Sequence, residues 1–206
     1  QISKYLECPR KWWFDRVVRL PQDGKGNYSR AFGNILHAVV ERYLLADASG
    51  RVDGKPVELY PKGWMWDLEN GIRLTEEDVP KVQALIASAI ESGMLQRQPG
   101  GKVEEEFFGI LHSEPPRADD FCRGIVAISG KIDYQYSTTV EDHKTTRSSR
   151  YMKSKAVLAK DPQLLLYALV AARRLGLTNE QAMTIRHNYY VKEPEPRVEP
   201  REVTVL

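Results

Sequence analysis

The stretch Gly130-Lys131-Ile132-Asp133-Tyr134-Gln135-Tyr136-Ser137-Thr138-Thr139-Val140-Glu141-Asp142-His143-Lys144 reads as two short strands joined by a tight turn at Ser137-Thr138-Thr139. Alternation sends Lys131, Asp133 and Gln135 to one face of the first strand and Ile132, Tyr134 and Tyr136 to the other. In the second strand Val140, Asp142 and Lys144 share a face, which sets Asp142 and Lys144 side by side, about 7 Å apart along the strand. A hairpin brings Asp133 next to them from the neighbouring strand. Two carboxylates and an ammonium at one spot suit metal-assisted cleavage of a phosphodiester. Carboxylate oxygens hold a hard cation, and the lysine stabilises charge or positions water. The competing reading is a solvated sheet face with a weak ion pair.

Around that stretch, the chain of 206 residues suits one domain with a good core, or one domain carrying an inserted subdomain. An apolar content of 42% and a charged content of 28% fit a soluble globular protein. The net charge of +2 permits a nucleic-acid partner but requires any basic patch to be local. Two cysteines, Cys8 and Cys122, cannot supply a four-thiolate zinc or iron–sulfur site or a disulfide framework, so a reducing, cytoplasmic setting is expected. No signal peptide and no apolar run of membrane-spanning length is found. The chain opens abruptly within structured-looking sequence, as an excised domain would.

Upstream, residues 3–18 read as a helix capped by Ser3, with Leu6, Trp13, Phe14 and Val17 as its apolar stripe. Its segment Cys8-Pro9-Arg10-Lys11-Trp12-Trp13-Phe14 mixes cations with aromatics, either as core anchors flanked by solvated charges or as a grip on a nucleic acid. Pro21 to Ser29 is read as a loop. A second helix, 31–48, buries Ile35, Leu36, Val39, Val40, Tyr43 and Leu44. Gly33 near its start allows close approach of backbone. His37 lies one turn from Glu41, as a boundary residue or as a metal ligand steadied by the carboxylate. An irregular insertion spans about 49–79 around Trp64 and Trp66, and an amphipathic helix follows over 80–95.

Strands are expected over 103–111 and 121–128 before the hairpin. The triplet Glu104-Glu105-Glu106 offers a further metal ligand, but is read as a solvated strand start. After Lys144 comes a basic run, Arg147, Arg150, Lys153, Lys155 and Lys160, read as a phosphate-binding segment or an ordinary loop. A helix over 163–175 is capped by Asp161 and opened by Pro162, and stacks Gln163 and Tyr167 on one face. Strands at 183–191 and 198–205 close the chain. The expected fold is α/β, a central mixed sheet flanked by helices, with a mostly helical N-terminal part.

Five motifs occur in order: Ser3…Tyr5…Cys8-Pro-Arg-Lys11, Gly33-Asn-Ile-Leu-His37, Gly130-Lys-Ile-Asp133, Asp142-His-Lys-Thr145 and Gln163-Leu-Leu-Leu-Tyr167. Together they resemble the nuclease domain of the RecB family, within the PD-(D/E)XK superfamily that also includes the Cas4-like exonucleases. The resemblance covers nearly the whole chain and implies a single nuclease domain over residues 1–206 with that superfamily's restriction-endonuclease-like core. It implies that His37, Asp133 and Asp142 bind Mg²⁺ or Mn²⁺, with the backbone carbonyl of His143 contributing. Lys144 is implied to position or activate water and to offset charge on the phosphate. Gln163 and Tyr167 are implied to support the site and contact DNA, and Arg147 and Arg150 join them as candidate substrate-binding residues. The implied activity is an exonuclease on single-stranded DNA or DNA ends. The alternatives are an endonuclease on branched or duplex DNA and a non-catalytic DNA-binding subunit.

The sequence departs from the family pattern at two points. Many Cas4-like members hold an iron–sulfur cluster with one N-terminal and three C-terminal cysteines. Here no cysteine follows Cys122, so no cluster is expected. His143 stands where a bulky apolar or aromatic residue is more usual. No phosphate-binding Gly-x-x-x-x-Gly-Lys of a helicase is present, so any motor would belong to a helicase or recombination partner.

Overall fold

The hairpin forms the middle of a five-stranded sheet of order β5-β6-β7-β8-β9 in the computed structural model of the chain. The structure describes residues 8–13, 18, 28–46, 51–52, 55–56, 66–67, 72–73, 77–112, 126–178 and 181–205. Ser3, Tyr5, Leu6, Phe14, Val17, Trp64 and Cys122 fall outside them, as does most of the strand expected at 121–128. Of the first expected helix the described part is α1 (Pro9–Trp13), with Cys8 exposed beside it. Next come α2 (Tyr28–Leu45) and, within the expected insertion, the two-residue strands β1 (Arg51–Val52), β2 (Lys55–Pro56), β3 (Trp66–Asp67) and β4 (Ile72–Arg73). These pair as two small antiparallel ladders. Helix α3 (Asp78–Glu91) leads into β5 (Lys102–His112), β6 (Val126–Tyr136) and β7 (Thr139–Thr146). Then follow α4 (Lys155–Leu158), α5 (Pro162–Leu175), β8 (Met183–Val191) and β9 (Arg197–Val205).

Local chemistry sets these boundaries. Asp161 Oδ1 accepts hydrogen bonds from the N–H groups of Gln163 and Leu164 at 3.0 and 3.2 Å, and Pro162 occupies the first turn, so α5 begins there. Gly176, at φ 67°, ends it. The basic run read as an open loop instead contains a single 3₁₀ turn at Ser149–Tyr151 and the short α4. Ser154 accepts from the Val157 N–H and starts α4.

The sheet is mixed: β7 and β8 run parallel, and all other neighbours run antiparallel. Helices α2 and α3 cover one face. Phe32, Leu36, Val39, Val40, Leu85 and Ile86 pack there on Tyr134 and Tyr190. Helix α5 covers the other face, with Leu164, Tyr167 and Ala168 on Phe107, Ile132, Val140 and Ile185. The expected α/β architecture is therefore the observed one. Among the described residues no helix is long and apolar enough to cross a membrane.

Two details differ from the sequence reading. The expected strand 121–128 and the first hairpin strand are one strand from Val126, because β5 pairs across Gly130 without a break, with Phe107 opposite. Ile132 and Tyr134, expected on one face, lie in the two opposite cores. The cause is where the hairpin ends: β6 and β7 pair only at Tyr134–Glu141, Gln135–Val140 and Tyr136–Thr139. Beyond that point β6 follows β5, β7 follows β8, and the alternation breaks at Asp133.

Gly130 gives space to the buried Phe107 ring, since a Cβ on it would stand 2.5 Å from Phe107 Cζ. That ring also packs edge-on against Tyr167, with centroids 5.8 Å apart, so it has little room to retreat. Gly130→Ala is expected to cost about 1–3 kcal/mol by overpacking. In a Phe107→Leu background the same substitution should cost less than half as much, measured by urea denaturation as a double-mutant cycle.

Candidate active site

The place where β6 and β7 part is defined by two acids. Continuing the register, the next opposed pair is Asp133 and Asp142, and like charges directly opposite disfavour pairing. Here the ladder opens, and a side chain replaces the backbone contact: the His143 N–H donates to Asp133 Oδ2 at 2.9 Å. From above, α2 brings His37 Nδ1 to 3.5 Å from the same oxygen. Gly33 makes that approach feasible, because a Cβ there would stand 3.1 Å from Thr145 Oγ1 on β7. The Gly-x-x-x-His helix and the Asp-x-Lys-Thr strand are thus fitted to each other through the glycine of one and the threonine of the other.

Alternation holds on β7, where Lys144 Nζ lies 2.9 Å from Asp142 Oδ1 and 2.8 Å from Oδ2. Burial works to lower the Lys144 pKa, but the charge and hydrogen bond of Asp142, with Asp133 behind it, raise it overall. Lys144 is therefore an ammonium at neutral pH. Burial and the neighbouring Asp142 charge push Asp133 up to about 6, against the pull of His37, the His143 N–H and Lys144. On the far side of Asp142, His187 Nε2 lies 3.3 Å from Oδ2. Burial lowers the His187 pKa to about 4, so the ring is neutral.

The His143 side chain does not join this group. It is buried on the α2 side of the sheet, with Nδ1 3.2 Å from Tyr190 Oη and the ring edge-on to His37 at 6.3 Å between centroids. Burial, with His37 and Lys144 nearby, keeps its pKa well below the usual value. Only the His143 backbone faces the acids, through its N–H.

Glu104 differs from its sequence reading. It lies on β5 opposite Asp133, between the pairs Val103–Tyr134 and Glu105–Ile132, at φ 53°. A non-glycine residue in that left-handed region is costly and marks a site where structure imposes the conformation. Glu104 bonds Lys131 at 2.5 Å. The triplet divides: Glu105 pairs with Arg174 and Lys102, at 2.9 and 3.1 Å, while Glu104 lies with His37 and Asp133. His37, Glu104 and Asp133 each offer a ligand atom within 4.8 Å of the others; Asp142, expected as a ligand beside His37 and Asp133, is not in that group. Only the strand register reveals the place of Glu104, and a run of three glutamates does not disclose which one faces Asp133.

Helix α5 presents Gln163 and Tyr167 as a bonded pair, with Gln163 Nε2 donating to Tyr167 Oη at 2.8 Å. Burial raises the Tyr167 pKa, and the Asp142 and Asp133 charges add to that, which places this hydroxyl within the field of the acids. Arg147 and Arg150 are engaged elsewhere. Arg147 Nε donates to Glu193 at 2.7 Å, and Arg150 stacks 4.7 Å from the Tyr151 ring centre, both in exposed positions. Neither is drawn against the acids by a described contact.

The donor set fits a hard divalent cation. Carboxylate oxygens and an imidazole nitrogen from three elements converge, and Asp142 Oδ2 is buried without a hydrogen bond of regular geometry.

Two outcomes follow from this geometry. Glu104→Gly should be about 1 kcal/mol more stable than Glu104→Ala, because glycine relieves the positive φ while both lose the carboxylate. Thermal unfolding of the two variants checks this. For Asp133 the sign is set by a folded-state pKa of about 6 against an ordinary 3.8. Between those values the folded state binds the extra proton, so stability falls as pH rises through the window, by up to roughly 3 kcal/mol. In chelator, Asp133→Asn should remove that slope from urea denaturation between pH 4 and 7.

No curated protein matches the chain significantly. Among solved structures, one titled "Crystal structure of SSO0001" is similar at 14% identity and a TM-score of 0.35, over 62% of this chain and 52% of that one. The present chain thus spans about half the length of that structure. A family model described as the PD-(D/E)XK nuclease superfamily matches residues 1–205. With that match over almost its full length, the chain belongs to the PD-(D/E)XK nuclease superfamily.

Proposed function

We propose that the chain hydrolyses phosphodiester bonds of DNA with Mg²⁺ or Mn²⁺, as an exonuclease on single strands or strand ends. The observation that supports this reading is the pairing of His37 with Asp133 and of Lys144 with Asp142 on the two strands that part, with the Asp142 charge acting on Asp133. His37, Asp133, Asp142 and the His143 carbonyl are the proposed ligands, and Glu104 lies close enough to join His37 and Asp133. When bound, the cation polarises a phosphoryl oxygen and acidifies an attached water.

The chain's own residues supply the rest. Lys144, held charged by Asp142, stabilises the negative charge that builds on the phosphate and orients the attacking water. Its raised pKa argues for this electrostatic role over proton abstraction at neutral pH. Asp133 must release its proton to serve as a ligand. The Gln163–Tyr167 pair stands beside the acids and steadies the scissile phosphate. Arg147 and Arg150, exposed on the segment after β7, offer phosphate contacts to the strand further out, once Arg147 exchanges Glu193 for the nucleic acid. The preference for single strands or ends rests on the RecB-like motif set rather than on distances in the site.

The test uses end-labelled linear DNA and closed circular single-stranded DNA, each with Mg²⁺, Mn²⁺ or EDTA. Metal-dependent loss of linear DNA with circles spared is expected, and Lys144→Ala should slow it by at least about 100-fold. Cut circles would make the protein an endonuclease. DNA binding without cleavage in either metal would make it a binding subunit.

A further inference from the structure

The sequence marks His187 and Tyr189 only as alternating residues of a strand. Parallel pairing of β7 with β8 sets His187 opposite Asp142 and Tyr189 opposite Lys144, so both side chains come up beside the Asp-x-Lys pair. All three of Asp142, His187 and Tyr189 are buried. A buried imidazole and a buried phenol need hydrogen-bond partners, and each finds one here. The backbone N–H of Lys153 donates to Tyr189 Oη at 3.1 Å. Having accepted there, the hydroxyl has its own hydrogen for His187 Nδ1, 2.9 Å away. With Nδ1 accepting from the hydroxyl, the ring carries its proton on Nε2, which lies 3.3 Å from Asp142 Oδ2.

The last contact is longer than a strong charge-assisted bond. Asp142 Oδ2 has no hydrogen bond of regular geometry, although Lys144 Nζ is also 2.8 Å away. Contacts of this kind are often long before the reacting complex assembles and tighten within it. A carboxylate oxygen has lone pairs for both an imidazole N–H and a cation. The chain of contacts reaches further out as well: the Lys153 ammonium pairs with Asp161, the residue that caps α5 ahead of Gln163 and Tyr167. One line of contacts, two hydrogen bonds and then the 3.3 Å approach of His187 to Asp142, thus runs from the segment after β7 to the central acid.

We propose that His187 and Tyr189 are positioning residues: Tyr189 fixes His187 as the Nε2–H tautomer, and His187 orients the Asp142 carboxylate toward the divalent cation. This rests on the nuclease reading given above. The simpler role for His187 is a satisfied core residue, and the two roles separate on what replaces it. A core filler is replaced equally well by leucine or glutamine. An orienting donor is replaced only by a side chain that still carries an N–H in reach of Oδ2, which glutamine does and leucine does not.

Three readouts on the full chain test the proposal. Nitrogen-15 NMR of the imidazole should show His187 as the Nε2–H tautomer, with that preference lost in Tyr189→Phe. Calorimetric titration with Mn²⁺ should show His187→Leu weakened about 10–100-fold, and His187→Gln restored to within a few-fold of wild type. In cleavage assays His187→Leu should lower kcat and leave the KM for DNA unchanged. If His187→Leu fails to fold, the glutamine and phenylalanine variants, closer in shape, carry the test. An Nδ1–H tautomer in the wild type, or a folded leucine variant that binds Mn²⁺ as tightly as wild type, would overturn the proposal while the nuclease reading stands. A wild type that neither binds Mn²⁺ nor cuts DNA would overturn both, with Asp142→Asn indistinguishable from it.

Discussion

Two carboxylates placed opposite each other on neighbouring strands disfavour the closing of a ladder. Asp133 and Asp142 stand in that relation at the fourth position of the hairpin, and the sheet yields there. Everything at the site follows from this opening. The His143 N–H, which the hairpin no longer uses, becomes a donor to Asp133. β6 turns so that Ile132 and Tyr134 feed different cores. The concentration of negative charge draws in His37 from α2 and Lys144 from β7.

The charges are balanced locally. Lys131 sits on Glu104, Lys144 on Asp142 and Lys153 on Asp161, each cation neighbouring one acid near the site. Asp133 differs: its contacts among the described residues are the His37 ring and the His143 N–H, and burial with Asp142 raises its pKa to about 6. Glu41, one turn along from His37, is raised too, by burial and then by Glu104. Carboxyls raised first by burial and then by a neighbouring acid's charge are groups that a divalent cation would relieve.

Much of this was legible in the sequence where the signal is local. The period-2 pattern of β7 placed Asp142 and Lys144 together, and the cap and proline at Asp161-Pro162 fixed the start of α5. Gly33 announced a close approach whose partner, Thr145, only the packing identifies. What could not be read depends on register between strands distant in sequence. Glu104 opposes Asp133 because β5 pairs with β6 in one particular offset, and a shift of one residue would have brought Glu105 there instead. His187 meets Asp142 through a parallel pairing that follows a crossover of more than thirty residues. The break in alternation at Asp133 is likewise a product of charge across strands, which a single-strand pattern does not contain.

The chain belongs to a nuclease superfamily, and the opened ladder is the place proposed for that chemistry. The most direct measurement is anomalous diffraction from crystals soaked in Mn²⁺. The expected result is a peak among His37, Asp133 and Asp142, with Lys144 displaced from at least one Asp142 oxygen. Manganese bound elsewhere, with those three side chains unchanged and Lys144 still on both oxygens, would contradict the claim that this opening is the metal site.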